Sequence, residues 1–346
     1  MNTYEYRLKG DLIMFNVKDR VTIYEVAKTA GVSLATVSRV INNRGNVTES
    51  TKKKVEEAIS RLGYKPSSLA QGLATSKTTN IAILLPSANY VYISNMLSGM
   101  IDVGRIYGYR TSVFTLENNL DSAAIVDNII TSHCDGVILL GNQLTNEDIS
   151  RLVSYNVPTI IVGSTHVEDR IGSVYIDYKT SMREVIRNYL EKGIDDIAFL
   201  QYKSESMYFL NNVKDVIIDV YKEFGKEFNN FIYIDDSSTG TYEQFKEAFK
   251  NNDFHKVYIA PRDSLAVSIS NAAGDLGINV PEKFEVLGII GTKYSQMARP
   301  QVSSFNVDMY EVGSVAARML TKLLAGELLN KQFTLIGEYV ERDTTK

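Results

Sequence analysis

The sequence predicts a small all-α unit at the N-terminus and a larger α/β unit behind it. Helix-length segments with capping residues fill residues 21–65, whereas from Asn80 onward short apolar runs alternate with helix-length segments. Those runs lack polar alternation, which is typical of strands that are buried on both faces of a parallel sheet. More than ten such elements follow Asn80, and this number favours two doubly wound lobes over one.

A charge asymmetry accompanies this division. Residues 1–78 contain 13 lysines and arginines and 7 aspartates and glutamates, a net charge of +6. Residues 79–346 contain 24 lysines and arginines and 34 aspartates and glutamates, a net charge of −10. The whole chain carries a net charge of −4. A basic segment attached to an acidic one indicates an anionic partner for the N-terminal part only.

Three short helices are predicted in the N-terminal part. Thr22, Ser33 and Thr48 are suitable N-caps for the segments IYEVAKTA, LATVSRVINN and ESTKKKVEEAISRLG. Only about two residues, one of them Gly31, separate the first two helices, so these should meet at a steep angle. The predicted apolar core of this unit consists of Val26, Ala27, Ala30, Val32, Val37, Val40, Val55, Ile59 and Leu62.

The second predicted helix has the residue types that reading DNA requires. Leu34, Ala35 and Thr36 at its start are small or adaptable enough to approach base edges, and Arg39 lies on the same face as Ala35 and can reach a guanine edge. For any single residue, a helix cap or a solvated surface remains an alternative, but the set as a whole favours DNA binding. Four hydroxyls and two amides suited to phosphate contacts are supplied by Ser33, Thr36, Ser38, Asn42, Asn46 and Tyr64.

The stretch VTIYEVAKTAGVSLATVSRVINNRGNVTESTKKKVEEAISRLGYKPSSLAQGLA closely resembles the headpiece of the lactose-repressor (LacI/GalR) family. The shared motifs are T-I-Y-E-V-A, G-V-S, T-V-S-R-V-I-N and L-G-Y-x-P, and the resemblance continues to R-D-T-T-K at the C-terminus. It implies a transcription regulator that binds a palindromic operator as a homodimer. It also implies the following organisation: an N-terminal extension (1–20), a helix-turn-helix headpiece (21–65), a hinge helix and linker (66–78), and a periplasmic-binding-protein-like core (79–346).

The resemblance also implies the finer layout of the core and of the hinge. The N-lobe would comprise about 79–176 and 307–333, and the C-lobe about 177–306 and 334–346. The hinge helix would fold only on DNA, where Leu73, with Ala74 beside it, would wedge into the minor groove and kink the duplex. Thr22 and Tyr24 complete the expected DNA contacts.

An effector cleft is expected at the carboxyl ends of the strands. Relatives that sense sugars or purines place an arginine and an aspartate there, and the matching positions here are Asn212 and Ile290. Asp263 in RDSLAVS keeps an aspartate of the family pattern, although it could equally be the N-cap of its helix. Ser87 offers little charge, so we expect a poor site for a polar small molecule.

A protein is therefore the expected control input. The chain is most similar to a branch of carbon catabolite regulators that serine-phosphorylated HPr activates, which implies contacts from Asp102, Tyr310, Glu311, Arg318 and Lys322. Arg318 and Lys322 form an i,i+4 pair with no acid between them, which suits a phosphoserine, but a solvated cationic edge remains an alternative. Ser87 and Glu338 depart from the pattern of that branch. The alternative function is a local repressor that answers an unidentified small molecule.

Other function classes find little support. The sequence has no G-x-G-x-x-G after a strand, no P-loop and no G-x-S-x-G, so we expect neither an enzyme nor a cofactor. One cysteine, Cys134, excludes an intrachain disulfide and a cysteine-based zinc cluster, and with only three histidines besides no metal is expected. No apolar run approaches the ~20 residues of a membrane span, and residues 1–20 lack the apolar stretch of a signal peptide. The expected location is the cytoplasm, and a free-standing sugar-binding protein is disfavoured.

Overall fold

The computed structural model describes most of the chain, which divides into two compact units, residues 1–78 and 79–346. For residues 3–8, 11–16 and 208–212 the description covers the backbone only. No helix within the described ranges is long and apolar enough to cross a membrane. The described residues are 3–8, 11–16, 21–42, 45, 47–65, 78–87, 90–116, 122–141, 144–202 and 208–346.

The N-terminal unit contains a hairpin and three helices. The hairpin pairs β1 (Thr3–Leu8) with β2 (Asp11–Asn16) in antiparallel register, a pairing that the sequence patterns did not predict. The three predicted helices are confirmed as α1 (Ile23–Ala30), α2 (Leu34–Ile41) and α3 (Glu49–Leu62).

Helix caps and a small apolar core define this unit. The Ser33 hydroxyl accepts a hydrogen bond from the Thr36 backbone N–H (3.2 Å), and the Thr48 hydroxyl accepts one from Thr51 (3.4 Å). Gly31 ends α1 with φ +66°, a conformation that glycine adopts without steric cost. Four residues of the predicted core pack at its edge: Ala30, Val32, Ile59 and Leu62. The buried core residues are Val26, Ala27, Val37, Val40, Val55 and Ala58.

The larger unit alternates strands and helices throughout. Its first part runs β3 (Asn80–Leu85), α4 (Val91–Ile106), β4 (Arg110–Thr115), α5 (Ser122–Thr131), β5 (Gly136–Leu140), α6 (Asn146–Ser154), β6 (Thr159–Val162) and β7 (Ile171–Asp177). The middle part runs α7 (Lys179–Glu191), β8 (Ile197–Tyr202), α8 (Tyr208–Glu223), β9 (Phe231–Ile234), α9 (Ser238–Lys250), β10 (Val257–Ala260), α10 (Asp263–Gly274), β11 (Glu285–Ile290), α11 (Lys293–Met297) and β12 (Ser303–Asn306). The last part runs α12 (Met309–Ala325), β13 (Gln332–Ile336) and β14 (Glu338–Val340).

These strands form two six-stranded sheets, which confirms the predicted pair of doubly wound lobes. The first sheet has the order β13–β7–β6–β5–β3–β4, and all its neighbours are parallel. The second has the order β14–β12–β11–β10–β8–β9, with only β14 antiparallel to its neighbour. The strands β5, β6, β10 and β11 are buried along their whole length, as their unbroken apolar character predicts.

The boundary between the lobes near the C-terminus needs a correction. The resemblance predicts that residues from about 334 onward belong to the C-lobe, but β13 remains in the first sheet as far as Ile336, which pairs with Asp177. The chain crosses at Gly337, whose backbone lies so close to the Tyr178 ring that an added Cβ would collide with it. Pairing of β13 with β7 thus extends the first lobe by three residues.

Two glycines allow the helices α4 and α12 to cross at close range. An added Cβ at Gly99 would collide with the carbonyl oxygen of Tyr310, and one at Gly313 with the carbonyl oxygen of Met96. Only glycine tolerates so short a distance between helix backbones. The crossing joins a helix from the start of the core to one near its end.

We expect Gly313→Ala to lower the thermal unfolding midpoint of the core by ~3 °C or more, because the new methyl group forces the two backbones apart. Gly274→Ala is the matched control, since that glycine is also helical but an added Cβ would meet nothing within 4 Å. This control should keep or raise the midpoint. Circular dichroism at a fixed scan rate measures both, and equal midpoints for the two variants would contradict the close crossing.

Candidate DNA-binding surface and interlobe cleft

The exposed face of α2 carries the residues predicted to read bases. Leu34, Ala35 and Arg39 are exposed, whereas Val37 and Val40 on the opposite face are buried in the core of the unit. Leu34 exposes 37% of its surface although it is a large apolar residue. The helix therefore presents an apolar start and a cation four residues later, which can contact thymine methyls and a guanine edge.

The hydroxyls at the helix starts are partly engaged with their neighbours. The Thr22 hydroxyl and backbone N–H both donate to the Glu25 carboxylate, at 2.9 and 2.6 Å. These bonds, the backbone one first, hold the pKa of Glu25 below its ordinary value. The hydroxyls of Ser33 and Thr36 lie 2.9 Å apart, so that one of them donates a hydrogen bond to the other. One hydroxyl proton of this pair remains for a phosphate, whereas a phosphate bond from the Thr22 hydroxyl would require its bond to Glu25 to break.

The remaining predicted DNA-contacting residues differ in how exposed they are and in what they contact. Tyr24 is 68% exposed. The Asn42 amide donates to the Ser38 carbonyl oxygen (2.9 Å) at the end of α2, and Tyr64 packs beside the core, where burial raises its pKa. Three predicted contacts lie outside the described residues: Asn46, Leu73 and Ala74.

The residues predicted to contact a partner protein lie on α12 and on the adjoining α4. Most of α12 is buried, and its exposed residues are Tyr310, Glu311, Arg318, Lys322 and Ala325. The Tyr310 hydroxyl donates to the Asp102 carboxylate on α4 (3.2 Å), and this bond raises the pKa of Tyr310. Within the described part of the chain, neither Arg318 nor Lys322 forms an ion pair, so both cations face solvent.

A cavity of about 350 Å³ lies between the two lobes. Of the predicted cleft residues, Asp263 and Ile290 line this cavity, whereas Ser87 is not among the lining residues. The side chain of Asn212 lies outside the described part. The lining residues are Tyr90, Val91, Tyr92, Ser238, Arg262, Asp263, Ser264, Ile290, Thr292 and Tyr294.

A cation and a carboxyl group do line this cleft, although not at the two positions where the resemblance expects them. Arg262, with only 12% of its side chain exposed, forms an ion pair with Asp236 and donates from Nε to the Tyr202 hydroxyl (2.8 Å). Burial lowers the pKa of Arg262, but Tyr202 and Asp236 raise it by more, so the guanidinium keeps its charge. The cation comes from a different position than in the sensors of the family. Its signal in the sequence was the R-D pair that follows β10.

Asp263 is a buried carboxyl, and the alternative that it caps its helix is wrong. The N-cap of α10 is Arg262, and Asp263 is the first helical residue. One carboxylate oxygen accepts from the Thr292 backbone N–H, while Oδ1 is buried with no hydrogen-bond partner among the residues that the structure describes. Burial raises the pKa of Asp263 to about 6, against the opposing effect of bonds from Thr292.

Ile290 marks a strained point in the same wall. It is buried and has φ +102°, which is an outlier for a β-branched residue. Such strain clusters at functional sites, where the surrounding structure enforces it. Among the described residues, no group of three His, Cys, Asp or Glu side chains could hold a metal ion.

A helix-turn-helix unit joined to two doubly wound lobes defines a DNA-binding transcription regulator. The family model for bacterial regulatory proteins of the lacI family matches residues 22–67, and a periplasmic binding protein-like domain matches residues 186–345. The chain is 31% identical to catabolite control protein A of Priestia megaterium over 334 residues, which cover 94% of this chain and 99% of that protein. The same protein of Staphylococcus xylosus is 31% identical over 333 residues, with the same coverage. The chain belongs to the lacI family.

Solved structures share the fold. The lac repressor dimer bound to operator and the anti-inducer ONPF superimposes with a TM-score of 0.79 at 22% identity, covering 94% of this chain and 99% of that one. The transcription regulator CcpA of Lactococcus lactis superimposes with a TM-score of 0.67 at 22% identity, covering 77% of this chain and 99% of that one. At these identities the comparison with structures supports the architecture and not the individual contacts.

We expect Asp263→Asn to change the pH dependence of stability. Because the folded-state pKa is raised to about 6 from 3.8, the wild type is most stable relative to this variant below about pH 4 and loses ~3 kcal/mol of that advantage as the pH rises through 6. Thermal unfolding midpoints of both proteins between pH 4 and 7 measure the difference.

Asp148→Asn is a control of opposite sign. Burial raises the pKa of Asp148, but hydrogen bonds from Ser122 and Thr145 lower it by more, so its pKa lies below the ordinary value. The wild type should therefore lose stability relative to Asp148→Asn as the pH falls below 4. Parallel pH profiles for wild type and Asp263→Asn would show that Asp263 has an ordinary pKa.

Proposed function

We propose that this protein is a carbon catabolite regulator that binds a palindromic operator as a homodimer in the cytoplasm and is activated by serine-phosphorylated HPr. The single observation that supports the control step is the exposed edge of α12. On a helix that is otherwise largely buried, the exposed residues include all four that the resemblance assigns to the partner on this helix: Tyr310, Glu311, Arg318 and Lys322.

The chemistry of this edge suits a phosphoserine. Arg318 and Lys322 are one helical turn apart, so both can donate charge-assisted hydrogen bonds to one phosphate. Neither has to leave an acidic partner first, since neither is paired within the described ranges. Tyr310 is already oriented by its hydroxyl bond to Asp102, which provides a fixed polar contact next to the cations.

The homodimer is supported by exposed apolar side chains at one edge of the first lobe. Ile106 and Tyr107 at the end of α4 are 79% and 50% exposed, and Val113 on the edge strand β4 is 45% exposed. Large apolar groups exposed near one another are typical of an interface. A two-fold dimer presents two copies of α2, and a palindromic operator matches that symmetry.

The second candidate is a local repressor that answers a small molecule in the interlobe cavity. The cavity and the buried Oδ1 of Asp263 favour it. Against it, the guanidinium of Arg262 is already bonded to Asp236 and Tyr202. A polar ligand would have to replace those bonds, so the protein partner is the function that the site supports better.

We expect serine-phosphorylated HPr to bind the full-length chain, and Arg318→Glu to weaken that binding by about tenfold or more, since it removes a charged hydrogen bond and adds a repulsive charge. Isothermal titration calorimetry measures the affinity. Arg170→Glu is the control, because Arg170 is an exposed arginine of the same lobe outside α12. No binding by the wild type at tens of micromolar, or equal affinities for both variants, would rule out the HPr proposal and leave the small-molecule repressor.

We expect Leu73→Ala to weaken operator binding by about tenfold while changing non-specific binding by less than about twofold, because a wedge acts only where the DNA is kinked. Fluorescence anisotropy with operator and with scrambled duplexes at one salt concentration measures both. Equal losses on the two DNAs would contradict the wedge role of Leu73.

A further inference from the structure

A polar cluster at the mouth of the cleft connects the two lobes. Tyr90 precedes α4 in the first lobe, whereas Asp236 follows β9 and Arg262 follows β10 in the second. The Tyr90 hydroxyl donates to one oxygen of the Asp236 carboxylate, and Arg262 donates to the other. The guanidinium carbon of Arg262 also lies 4.8 Å from the centre of the Tyr90 ring. One tyrosine of the first lobe thus contacts both members of an ion pair of the second.

We propose that Tyr90, Asp236 and Arg262 form an interlobe latch that holds the cleft closed with no ligand bound. Arg262 occupies the position between the lobes that a bound ligand would otherwise fill. Its guanidinium contacts the Tyr90 ring and the Asp236 carboxylate. This proposal goes beyond the proposed function and does not depend on the partner protein.

Neighbouring residues hold both sides of the latch in position within their own lobes. Arg262 is anchored within its own lobe by the bond from Nε to the Tyr202 hydroxyl (2.8 Å), so it is positioned before Tyr90 arrives. Tyr90 in turn stacks on Tyr92 of α4, with ring centres 5.6 Å apart. Arg262 is only 12% exposed, which limits solvent screening of its cation–π contact, whereas the carboxylate of the ion pair, Asp236, is 37% exposed.

The latch exists only while the lobes are closed. Opening the cleft separates Tyr90 from Asp236 and Arg262, but leaves the pair of Asp236 and Arg262 intact inside the second lobe. The free energy that favours closure therefore comes from the Tyr90 hydroxyl bond and from its ring, and removal of either partner across the cleft should release the lobes.

The test is the distance between the lobes of the full-length chain without ligands, measured by double electron–electron resonance. Spin labels are attached at Glu147→Cys on α6 and Glu243→Cys on α9, two exposed positions in different lobes, in a Cys134→Ser background. Labelled chain is diluted with unlabelled chain so that only distances within one chain are seen. We expect one narrow distance, with any open population below ~10%.

Arg262→Ala should make a longer distance the major population. Tyr90→Phe keeps the ring and its packing but removes the hydroxyl, so it should produce a smaller shift in the same direction. This milder variant keeps the test valid if Arg262→Ala does not fold. Arg187→Ala is the matched control, because Arg187 pairs with Glu223 and lies over Phe224 within one lobe; it should leave the distance unchanged. A wild type that is mostly open, or variants at Arg262 and Tyr90 with the wild-type distance, would overturn the latch.

Discussion

The crossing of α4 and α12 at Gly99 and Gly313 is the contact on which the rest of the core depends. The chain leaves the first lobe after β7 and returns to it only with α12, which then packs on β5, β6 and β7. Close approach of the two helix backbones completes the first lobe with this late segment and brings Tyr310 within hydrogen-bond distance of Asp102, 208 residues away in the sequence. The same burial leaves only a narrow edge of α12 exposed, and Arg318 and Lys322 lie on that edge.

Two adjacent residues in the cleft show how the fold accommodates buried charge. Arg262 keeps its charge because a carboxylate and two tyrosine rings surround it. Asp263, next in the chain, has one oxygen without a partner in the described structure, and burial raises its pKa to about 6, so the carboxyl takes up a proton below that pH. The charge of Arg262 is offset by a partner of opposite sign, whereas the cost of burying Asp263 appears as a raised pKa.

Local rules explain what the sequence could predict. The caps at Ser33 and Thr48, the stop at Gly31 and the unbroken apolar strands depend on neighbours a few residues away, and these elements were predicted. Contacts between distant segments were not: Tyr90 and Asp236 are 146 residues apart, and no local pattern indicates that they meet. The positive φ of Ile290 could not be foreseen either, because a β-branched residue normally avoids it. The hairpin at 3–16 was overlooked although its aromatic and apolar residues permit strands.

The two proposed control features, the exposed edge of α12 and the latch at Tyr90, would affect different motions of the same core. Residues 66–78, the predicted hinge and linker, precede β3 in the sequence, so the chain joins the N-terminal unit to the first lobe, the lobe that α12 completes. A partner on the exposed edge of α12 therefore binds the lobe that carries the tether, and does not need the cleft. The latch at Tyr90, by contrast, sets the separation between the lobes. If the latch keeps that separation constant, the remaining variable in the proposed dimer is how its two first lobes are arranged. The proposed partner protein on α4 and α12 could change that arrangement, whereas a small molecule in a closed cleft could not.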